Sequence, residues 1–398
     1  MPVEVLPGFT TDGQPDLAVA TRAARAWLAG GIVGLPTETV YGLAADAQDE
    51  SAVARVYRVK GRPADHPLIV HVAGPGALDP WSDGHNEAAA RLSGAFWPGP
   101  LTVVVARSAR AADFITGGQA TVALRCPDHP VARACLAALA RESGDPARGV
   151  AAPSANRFGR VSPTRAADVI AEVGERLDAG VDLVVDGGPC AVGVESTIVD
   201  CTAVPPRVLR AGAVSQAQVD AVLAGASAAS QVPAAGSVPS AASGVGRGAS
   251  QGRPAGEDRA VGEDRAEVRA PGTLESHYAP LAQVVLVDPA EAGPAPTWPT
   301  GVFGPASGPA MPRAADPAHW PPHEGVGLIA AARVATPVGW VRLAAPGDTA
   351  GYAHDLYAAL RRADELGLAL VVAVLPDPAA GPLALAVRDR LARAAHQG

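Results

Sequence analysis

Four short stretches of this 398-residue chain concentrate side chains that could bind an anionic ligand. They are residues 36–43 (PTETVYGL), 60–68 (KGRPADHPL), 121–127 (TVALRCP) and 152–156 (APSAN). Lys60 and Arg62 flank a glycine, which puts a point charge and a planar guanidinium together, as a polyphosphate requires. Arg125 ends an apolar run, where it either pairs with a structural carboxylate or binds an anionic ligand. Ser154 and Asn156 offer neutral hydrogen bonds to ligand oxygens and nitrogens.

Each stretch also has an ordinary structural interpretation. Thr37 or Glu38 could be the N-cap of a following helix, and small polar residues at 154–156, 162–164 and 195–197 could simply form turns. A lone basic pair usually faces solvent. All four stretches, however, lie at the ends of predicted strands, where α/β sheets form ligand sites. Their combination therefore favours a binding site over four unrelated loops.

The single lysine narrows the chemistry further. Of 32 basic residues besides histidine, 31 are arginine and one is Lys60. A P-loop needs a lysine followed by serine or threonine, and Gly61 follows Lys60. That class of nucleotide site is excluded, and any chemistry that needs an ammonium side chain must use residue 60.

Composition limits the remaining classes of function. The net charge is −8, which disfavours tight general binding to nucleic acid. Four cysteines, at positions 126, 135, 190 and 201, lack metal-site spacing and are expected to be buried thiols in a reducing cytosol. No apolar run of 18 residues and no signal-peptide pattern occur, so we expect no membrane partner and a cytoplasmic location.

Residues 1–224 alternate short apolar runs with amphipathic stretches, which predicts one α/β domain with a mixed sheet. Strands are predicted at 32–35, 68–72, 101–106, 121–125, 150–153, 183–186 and 197–200. Helices are predicted at 16–28, 50–59, 85–92, 130–141 and 165–177. The four polar stretches thus lie beside strands of a single sheet.

The rest of the chain divides into a linker and a second domain. Residues 225–280 are rich in alanine, serine, glycine and proline, a composition typical of a flexible linker. In residues 281–398, strands are predicted at 284–287, 327–330, 340–343 and 370–375, with helices at 352–366 and 383–395. This alternation predicts a small parallel, Rossmann-like α/β layer.

The ordered motifs resemble the YrdC-like threonylcarbamoyl-AMP synthase family. The resemblance rests on 36–43, the KGRP stretch at 60–63, the SAN triplet at 154–156 and residues 195–200, which include the family's KxR and SxN signatures. Residues 271–280, which end in HYAP, and 356–366 and 389–391 resemble the linker and C-terminal domain of its long form. The resemblance implies a twisted mixed-sheet α/β domain with an open concave site, plus a small Rossmann-like C-terminal α/β domain.

The same resemblance implies an enzyme, a nucleotidyltransferase. It would combine L-threonine, bicarbonate or CO2, and ATP into threonylcarbamoyl-AMP and release pyrophosphate. ATP is then a substrate, and Mg²⁺ is expected to accompany it. The implied downstream partner is the tRNA-modifying transferase machinery, which moves the threonylcarbamoyl group to an adenosine next to the anticodon.

The resemblance also implies roles for individual residues. Lys60 and Arg62 would be catalytic, and Arg125 would pair with the threonine carboxylate. The threonine site would contain Thr39, His71, Arg125, Ala152 and Ser196. The ATP site would contain Lys60, Arg62, His66, Thr121, Ser154, Asn156, Ser162, Arg210 and, from the linker, Tyr278. No protein ligand to a metal is implied, and His66 departs from the asparagine that the family often has.

Two other functions fit parts of the sequence. A YrdC-like module could bind RNA without catalysis, although the acidic net charge and 4% aromatic content count against it. A different ATP-using carbamoyl transfer is the other, but proteins that embed such a domain carry zinc-finger-like cysteine clusters, which this sequence lacks. For the second domain we hypothesise closure over the substrates, with Tyr278 as part of a lid.

Overall fold

The computed structural model describes residues 2–225, 268–270, 278–288 and 325–396. These ranges include most of both predicted domains. The predicted linker, 225–280, lies mainly outside them, and of its HYAP motif the last three residues, 278–280, are described. Within the described ranges, no helix is both long and apolar enough to cross a membrane.

The first domain contains the predicted mixed sheet, which has ten strands. From one edge to the other, the order is β1-β8-β2-β3-β7-β4-β6-β5-β9-β10. The strands are β1 (Glu4–Pro7), β2 (Val33–Leu35), β3 (Gly42–Asp46), β4 (Ile69–His71), β5 (Leu101–Ala106), β6 (Thr121–Arg125), β7 (Val150–Ala151), β8 (Leu183–Asp186), β9 (Thr197–Asp200) and β10 (Arg207–Arg210). β4 and β6 run parallel, and β7 pairs antiparallel with both β3 and β4.

Helices cover both faces of this sheet. They are α1 (Leu17–Leu28), α2 (Glu50–Lys60), α3 (Leu78–Trp81), α4 (Glu87–Phe96), α5 (Asp113–Thr116), α6 (Pro130–Ser143), α7 (Ala166–Val173) and α8 (Gln216–Leu223). Side chains alternate across a strand, so Ala44 of β3 belongs to one core with α1 and α6, while Leu43 and Ala45 belong to another core that includes α2, α4 and α7. Two large apolar cores and a smaller one around Ile69, Val104 and Ile198 therefore pack against the sheet and leave its strand ends free for polar residues.

Strand β3 was not predicted, and its presence excludes the helix N-cap interpretation of Thr37 and Glu38. The loop 36–41 leads into β3, which pairs antiparallel with β2. All five residues of β3 are buried, and the strand is crowded at Gly42, where a Cβ would lie 3.2 Å from Ala152 Cβ. The sequence of β3, GLAAD, has neither alternating polarity nor β-branched residues, so its pattern does not distinguish it as a strand.

The second domain is the predicted parallel layer. Its strands are β11 (Gln283–Val287), β12 (Val326–Ile329), β13 (Val341–Ala344) and β14 (Leu370–Val374), all parallel in the order β11-β14-β12-β13. Its described helices are α9 (Thr349–Glu365) and α10 (Pro382–Ala395). Buried residues of both helices belong to one core with Val284 and Val371 of the sheet.

The two domains are in direct contact through α9. Arg361 forms an ion pair with Glu172 of the first domain at 3.1 Å, and Arg160 forms one with Asp364 at 3.1 Å. Gly193 lies so close to α9 that a Cβ there would be 2.5 Å from the carbonyl oxygen of Ala353. The interface is therefore a packed one that contains buried charges.

Candidate active site

The four polar stretches meet at one cavity near the middle of the large sheet. Because β4 and β6 are parallel, their last residues, His71 and Arg125, lie side by side at the same edge. Ser154 bridges to Gly42 at the start of β3. Among the predicted site residues, those that line the cavity are Thr39, Arg62, His71, Arg125, Ala152, Ser154, Ser196, Arg210 and Tyr278.

Arg125 is held in place from two sides. Its Nη1 donates a hydrogen bond to Thr39 Oγ1 at 2.8 Å, and its Nη2 lies 2.6 Å from Glu38 Oε1. Both partners come from the 36–41 loop, and Arg125 is 3% exposed. The sequence left two roles open for Arg125, a structural ion pair or an anion-binding group. The structure shows the ion pair and also places the guanidinium in the cavity wall.

Two more guanidinium groups enter the same cavity. Gly61 has a φ of 64° and ends α2, so Arg62 lies beyond the helix, where its Nη2 donates to the carbonyl oxygen of Pro67 at 3.0 Å. Arg210, at the end of β10, donates to the carbonyl oxygen of Ser196 and, at 3.1 Å, to Ser196 Oγ. Burial lowers the pKa of both guanidinium groups. Arginine nevertheless stays charged in proteins, so both are cations with little hydration of their own.

Lys60 lies behind the cavity wall. It is the last residue of α2, is 2% exposed, and donates from Nζ to the carbonyl oxygens of Ser154 and Asn156. Burial lowers the pKa of this ammonium well below its usual value. Its contacts fix the backbone of the 154–156 loop, whose Ser154 lines the cavity.

His71 contributes a neutral polar atom. Burial, with the nearby charge of Arg125, lowers its pKa to about 3, so the ring is uncharged at neutral pH. Its Nδ1 is buried and has no hydrogen-bond partner in the described part of the protein. A buried polar atom without a partner is costly, and a ligand group at this position would supply one.

Four predicted residues lie outside the cavity wall, besides Lys60. Thr121 begins β6 and pairs with Ala106, so it is at the opposite end of the strand from Arg125. His66 packs edge-on against Phe158, with ring centroids 5.5 Å apart. Asn156 and Ser162 are fully buried; Asn156 Nδ2 donates to carbonyl oxygens of the 157–160 turn, and Ser162 Oγ donates to a carboxylate of the cavity wall.

That carboxylate is Glu195, which lies in the recognised motif 195–200 but was not predicted to be a site residue. Its Oε1 accepts from Ser162, and its Oε2 accepts from Tyr357 and Arg390, each bond being 2.8 Å long. Burial by itself would raise the pKa of Glu195, but Arg390 and Arg210 outweigh it and lower the pKa to about 2. Glu38, the partner of Arg125, was missed in the same way. For both residues the available signal was their place inside a recognised motif.

Tyr278 closes one side of the cavity. It is 1% exposed, stacks on Tyr357 with ring centroids 5.6 Å apart, and has a φ of 64°. The next residue, Ala279, donates its N–H to the carbonyl oxygen of Gly159 at 2.9 Å. The remaining cavity is about 50 Å³, well below the roughly 300–1,000 Å³ typical of small-molecule sites. A nucleotide would therefore need Tyr278 or a neighbouring segment to move.

The residues of the cavity do not form a metal site. Within the described part of the chain, the cavity wall contains one carboxylate, Glu195, and its oxygens already accept three hydrogen bonds. No cluster of three or more histidine, cysteine, aspartate or glutamate side chains with metal-binding geometry occurs among the described residues. The four cysteines are free and buried.

Fold and cavity together define a class: a two-domain α/β protein with a cationic ligand cavity at the centre of its larger sheet. Residues 25–212 match the family model described as "Telomere recombination", and residues 214–396 match "Threonylcarbamoyl-AMP synthase, C-terminal domain". The chain is 39% identical over 202 residues to the putative threonylcarbamoyl-AMP synthase of Mycobacterium tuberculosis, spanning 51% of this chain and 87% of that protein. The chain belongs to the threonylcarbamoyl-AMP synthase family.

Two further relatives describe how far the similarity extends. The threonylcarbamoyl-AMP synthase of Bacillus subtilis is 45% identical over 193 residues, which is 48% of this chain and 53% of that protein. The chain thus spans about half the length of this curated relative. In three dimensions, the crystal structure of Pyrococcus abyssi Sua5 complexed with L-threonine aligns with 98% of this chain and 97% of its own, at 29% identity and a TM-score of 0.72. That protein shares both domains of the present fold.

Proposed function

We propose that this chain is an L-threonylcarbamoyladenylate synthase. The observation that carries the proposal is the convergence of Arg62, Arg125 and Arg210 on one cavity that also presents Thr39 and Ser196. Such a site suits two anionic substrates, an amino acid and a nucleoside triphosphate. The family membership and the threonine bound to Pyrococcus abyssi Sua5 support the choice of these two substrates.

Threonine takes the end of the cavity around Arg125. The guanidinium pairs with the threonine carboxylate, and Thr39, which already bonds to Arg125, fixes its orientation. Ala152 and Ser196 complete this end, and the neutral His71 accepts or donates one hydrogen bond through its partnerless Nδ1. These are the threonine-site residues that the family resemblance implies.

ATP takes the end around Arg62 and Arg210. Arg62 faces the triphosphate, and Ser154 and Tyr278 bound the nucleotide. Lys60 and Asn156 act from behind by fixing the backbone of residues 154–156. Ser162 acts through Glu195, and we retain His66 and Thr121 as outer contacts that form when the cavity opens. Lys60 thus contributes to the reaction indirectly, because it fixes the 154–156 loop that bounds the nucleotide.

The chemistry requires two bonds to form. The amine of threonine loses a proton and attacks the carbon of CO2, giving a carbamate; with bicarbonate, water is also released. A carbamate oxygen then bonds to the α-phosphorus of ATP, and the bond from that phosphorus to the β-bridging oxygen breaks. Pyrophosphate leaves with the electron pair, and the product is threonylcarbamoyl-AMP.

The cavity promotes this reaction by position and charge. The attacking carbamate and the triphosphate are both anions, and the fixed cations at Arg62 and Arg210 offset their repulsion. Holding both reactants in one site can supply about 7–11 kcal/mol of the barrier. No nucleophilic side chain has to take part, because the carbamate itself attacks.

Mg²⁺ enters this proposal as part of the substrate. The cavity residues offer no carboxylate free to bind it, whereas the phosphates of ATP are ordinary ligands for Mg²⁺ together with water. We therefore assign Mg²⁺ to MgATP and derive no step from a protein-bound metal.

The remaining assignments concern the whole protein. We keep the domain division at 1–224, 225–280 and 281–398, with the linker delivering Tyr278 as a lid over the nucleotide. The product passes to the transferase machinery that modifies adenosine next to the tRNA anticodon. The four buried, free thiols support the reducing cytoplasm as the location.

One incubation tests the function. The full-length chain is mixed with ATP, Mg²⁺, L-threonine and bicarbonate, and pyrophosphate is measured while each component is omitted in turn. We expect release only with all substrates present. Release that is unaffected by omission of threonine would overturn the proposal, since it would indicate simple ATP hydrolysis at the α-phosphorus.

A further inference from the structure

Glu195 presents an electrostatic problem for the proposed site. Its carboxylate is buried in the wall of a cavity that has to receive a threonine carboxylate and a triphosphate. An unpaired negative charge there would repel both ligands. It would also attract Arg210, which lines the same cavity and already lowers the pKa of Glu195.

Most of the groups that donate hydrogen bonds to the Glu195 carboxylate come from the second domain. Tyr357 of α9 and Arg390 of α10 both donate to Oε2, at 2.8 Å each. Arg390 is 0% exposed and Tyr357 is 0% exposed, and neither lines the cavity. They therefore reach the site through Glu195 and do not touch the ligand.

Arg390 contacts two further parts of the cavity wall. Its Nη2 donates to the carbonyl oxygen of Ala211 at 3.0 Å, directly after Arg210 in the chain. Its guanidinium lies 5.4 Å from the centre of the Tyr278 ring, within the range of a cation–π contact. One side chain of the second domain is thus bonded to or stacked on three segments that form the wall.

We propose that Arg390 and Tyr357 are positioning residues for the nucleotide half of the site: they engage the Glu195 carboxylate so that it does not pair with the arginines that bind the anionic substrate. The inference rests on the proposed function. Without Arg390, a buried carboxylate loses its compensating charge, which is strongly unfavourable, and a turn toward Arg210 would relieve it. The second domain thereby sets the affinity of a site that lies in the first.

The primary test is the variant Arg390→Met in the full-length chain. ATP binding is measured by titration calorimetry without threonine or bicarbonate, and KM for ATP is measured by pyrophosphate release. We expect ATP affinity to fall by about tenfold or more, with KM for ATP rising correspondingly and kcat changing less. Arg388→Met is the matched control, since Arg388 lies on the same helix but contacts Pro376 and Asp288 of its own domain.

Removing the charge of Glu195 tests whether Arg390 acts by positioning this carboxylate or only by stabilising the fold. If it acts by positioning, the removal should restore ATP binding to the Arg390→Met variant. Gln at position 195 keeps the shape of glutamate but carries no charge that could pair with Arg210. The double variant Arg390→Met/Glu195→Gln should therefore bind ATP within about threefold of Glu195→Gln alone. If the double variant binds ATP no better than Arg390→Met, the proposal is wrong.

Tyr357→Phe provides a second route in case Arg390→Met does not fold. It removes one hydroxyl from the same carboxylate and should weaken ATP binding by about three- to tenfold. Parent-like ATP affinity in Tyr357→Phe, or in a folded Arg390→Met, would overturn the inference. Failure of the proposed function is distinguishable, because the parent chain itself would then neither bind ATP nor release threonine-dependent pyrophosphate.

Discussion

At the scale of single residues, each cation of the cavity is held by hydrogen bonds or an ion pair within the protein itself. Glu38 holds Arg125, and Ser196 holds Arg210. Lys60 follows the same principle, because its ammonium holds backbone carbonyl groups of the 154–156 loop. Preorganised charge of this kind lowers the cost of binding, since the side chains do not have to be ordered by the ligand.

Lys60, the only lysine of the sequence, is therefore predicted to be important for both activity and stability. Lys60→Met should lower threonine-dependent pyrophosphate release on the order of 100-fold, because the carbonyl groups of Ser154 and Asn156 lose their shared donor and the loop shifts. It should also destabilise the fold by about 1–3 kcal/mol, as expected for buried acceptors left unpaired. Steady-state kinetics and urea unfolding measure the two effects.

Arg58→Met is the control for Lys60→Met. Arg58 lies on the same helix, two residues earlier, and is exposed. It should leave activity and stability near the parent values. Parent-like pyrophosphate release by Lys60→Met would remove Lys60 from the reaction.

The low pKa of Glu195 predicts that the protein loses stability as the pH falls. Its pKa in the folded protein is about 2, below the value of about 4.3 for an unfolded chain. The unfolded state therefore takes up a proton first as the pH falls. The stability that ionised Glu195 contributes is complete above about pH 5 and is lost progressively toward pH 2.

Chemical denaturation at several pH values tests this linkage. Between pH 5 and pH 2, the free energy of unfolding of the parent should fall more steeply than that of Glu195→Gln, which has no proton to bind at this position. Identical slopes for the two proteins would contradict the low pKa of the carboxylate.

At the scale of elements, the loop 190–196 connects the site to the second domain. Val192 donates its N–H to the carbonyl oxygen of Glu38 in the 36–41 loop, and Gly193 lies against the backbone of α9. Glu195 and Ser196 follow at the cavity. A displacement of α9 would therefore be transmitted to the cavity through a few consecutive residues.

Gly193→Ala tests this connection. Gly193 has a φ of 79°, and an added Cβ would lie 2.5 Å from the carbonyl oxygen of Ala353 and 2.6 Å from His354 Cα. The free energy of unfolding should fall by about 1–3 kcal/mol more than backbone strain alone would cost, because the added methyl group forces the two domains slightly apart. It should also weaken ATP binding.

Gly144→Ala is the matched control for Gly193→Ala. Gly144 has a φ of 68° and open space around its Cα, so an alanine there carries the same type of backbone strain without a collision. Equal losses of stability in the two variants, measured by denaturant unfolding, would show that α9 does not restrain the loop.

The sequence predicted most elements because their periodicity is local. The long amphipathic helices α1, α6 and α9 and the β-branched strand β14 were all predicted within a few residues of their bounds. Strands β1, β3 and β10 were not predicted, because short strands depend on the neighbours with which they pair. Of the site, the sequence predicted which stretches converge but not how they do so: the ion pair of Glu38 with Arg125 joins residues 87 positions apart on different elements.

At the scale of the whole molecule, two domains contribute to one cavity. Arg390 lies 195 positions after Glu195, and their bond is made only when both domains have folded and docked. Local patterns carry no information about such a pair, so the sequence did not reveal that Arg390 contributes to the site. Its contribution is to the wall of the first domain's cavity.

The overall charge predicts weak binding to nucleic acid. With a net charge of −8, the chain should bind unmodified tRNA with a Kd weaker than about 10 µM at physiological salt, because few phosphates can be neutralised. A mobility-shift titration at two salt concentrations measures this. Tight, salt-sensitive binding would instead favour the alternative that the fold serves as an RNA-binding module.

The reaction product provides the most direct test of the central claim. The full-length chain is incubated with ATP, Mg²⁺, L-threonine and ¹³C-bicarbonate, and the nucleotides are analysed by mass spectrometry. We predict threonylcarbamoyl-AMP with the ¹³C label in its carbamoyl carbon, formed in equal amount with pyrophosphate. An adenylate without the label, such as threonyl-AMP, or AMP and pyrophosphate alone, would contradict the assigned function.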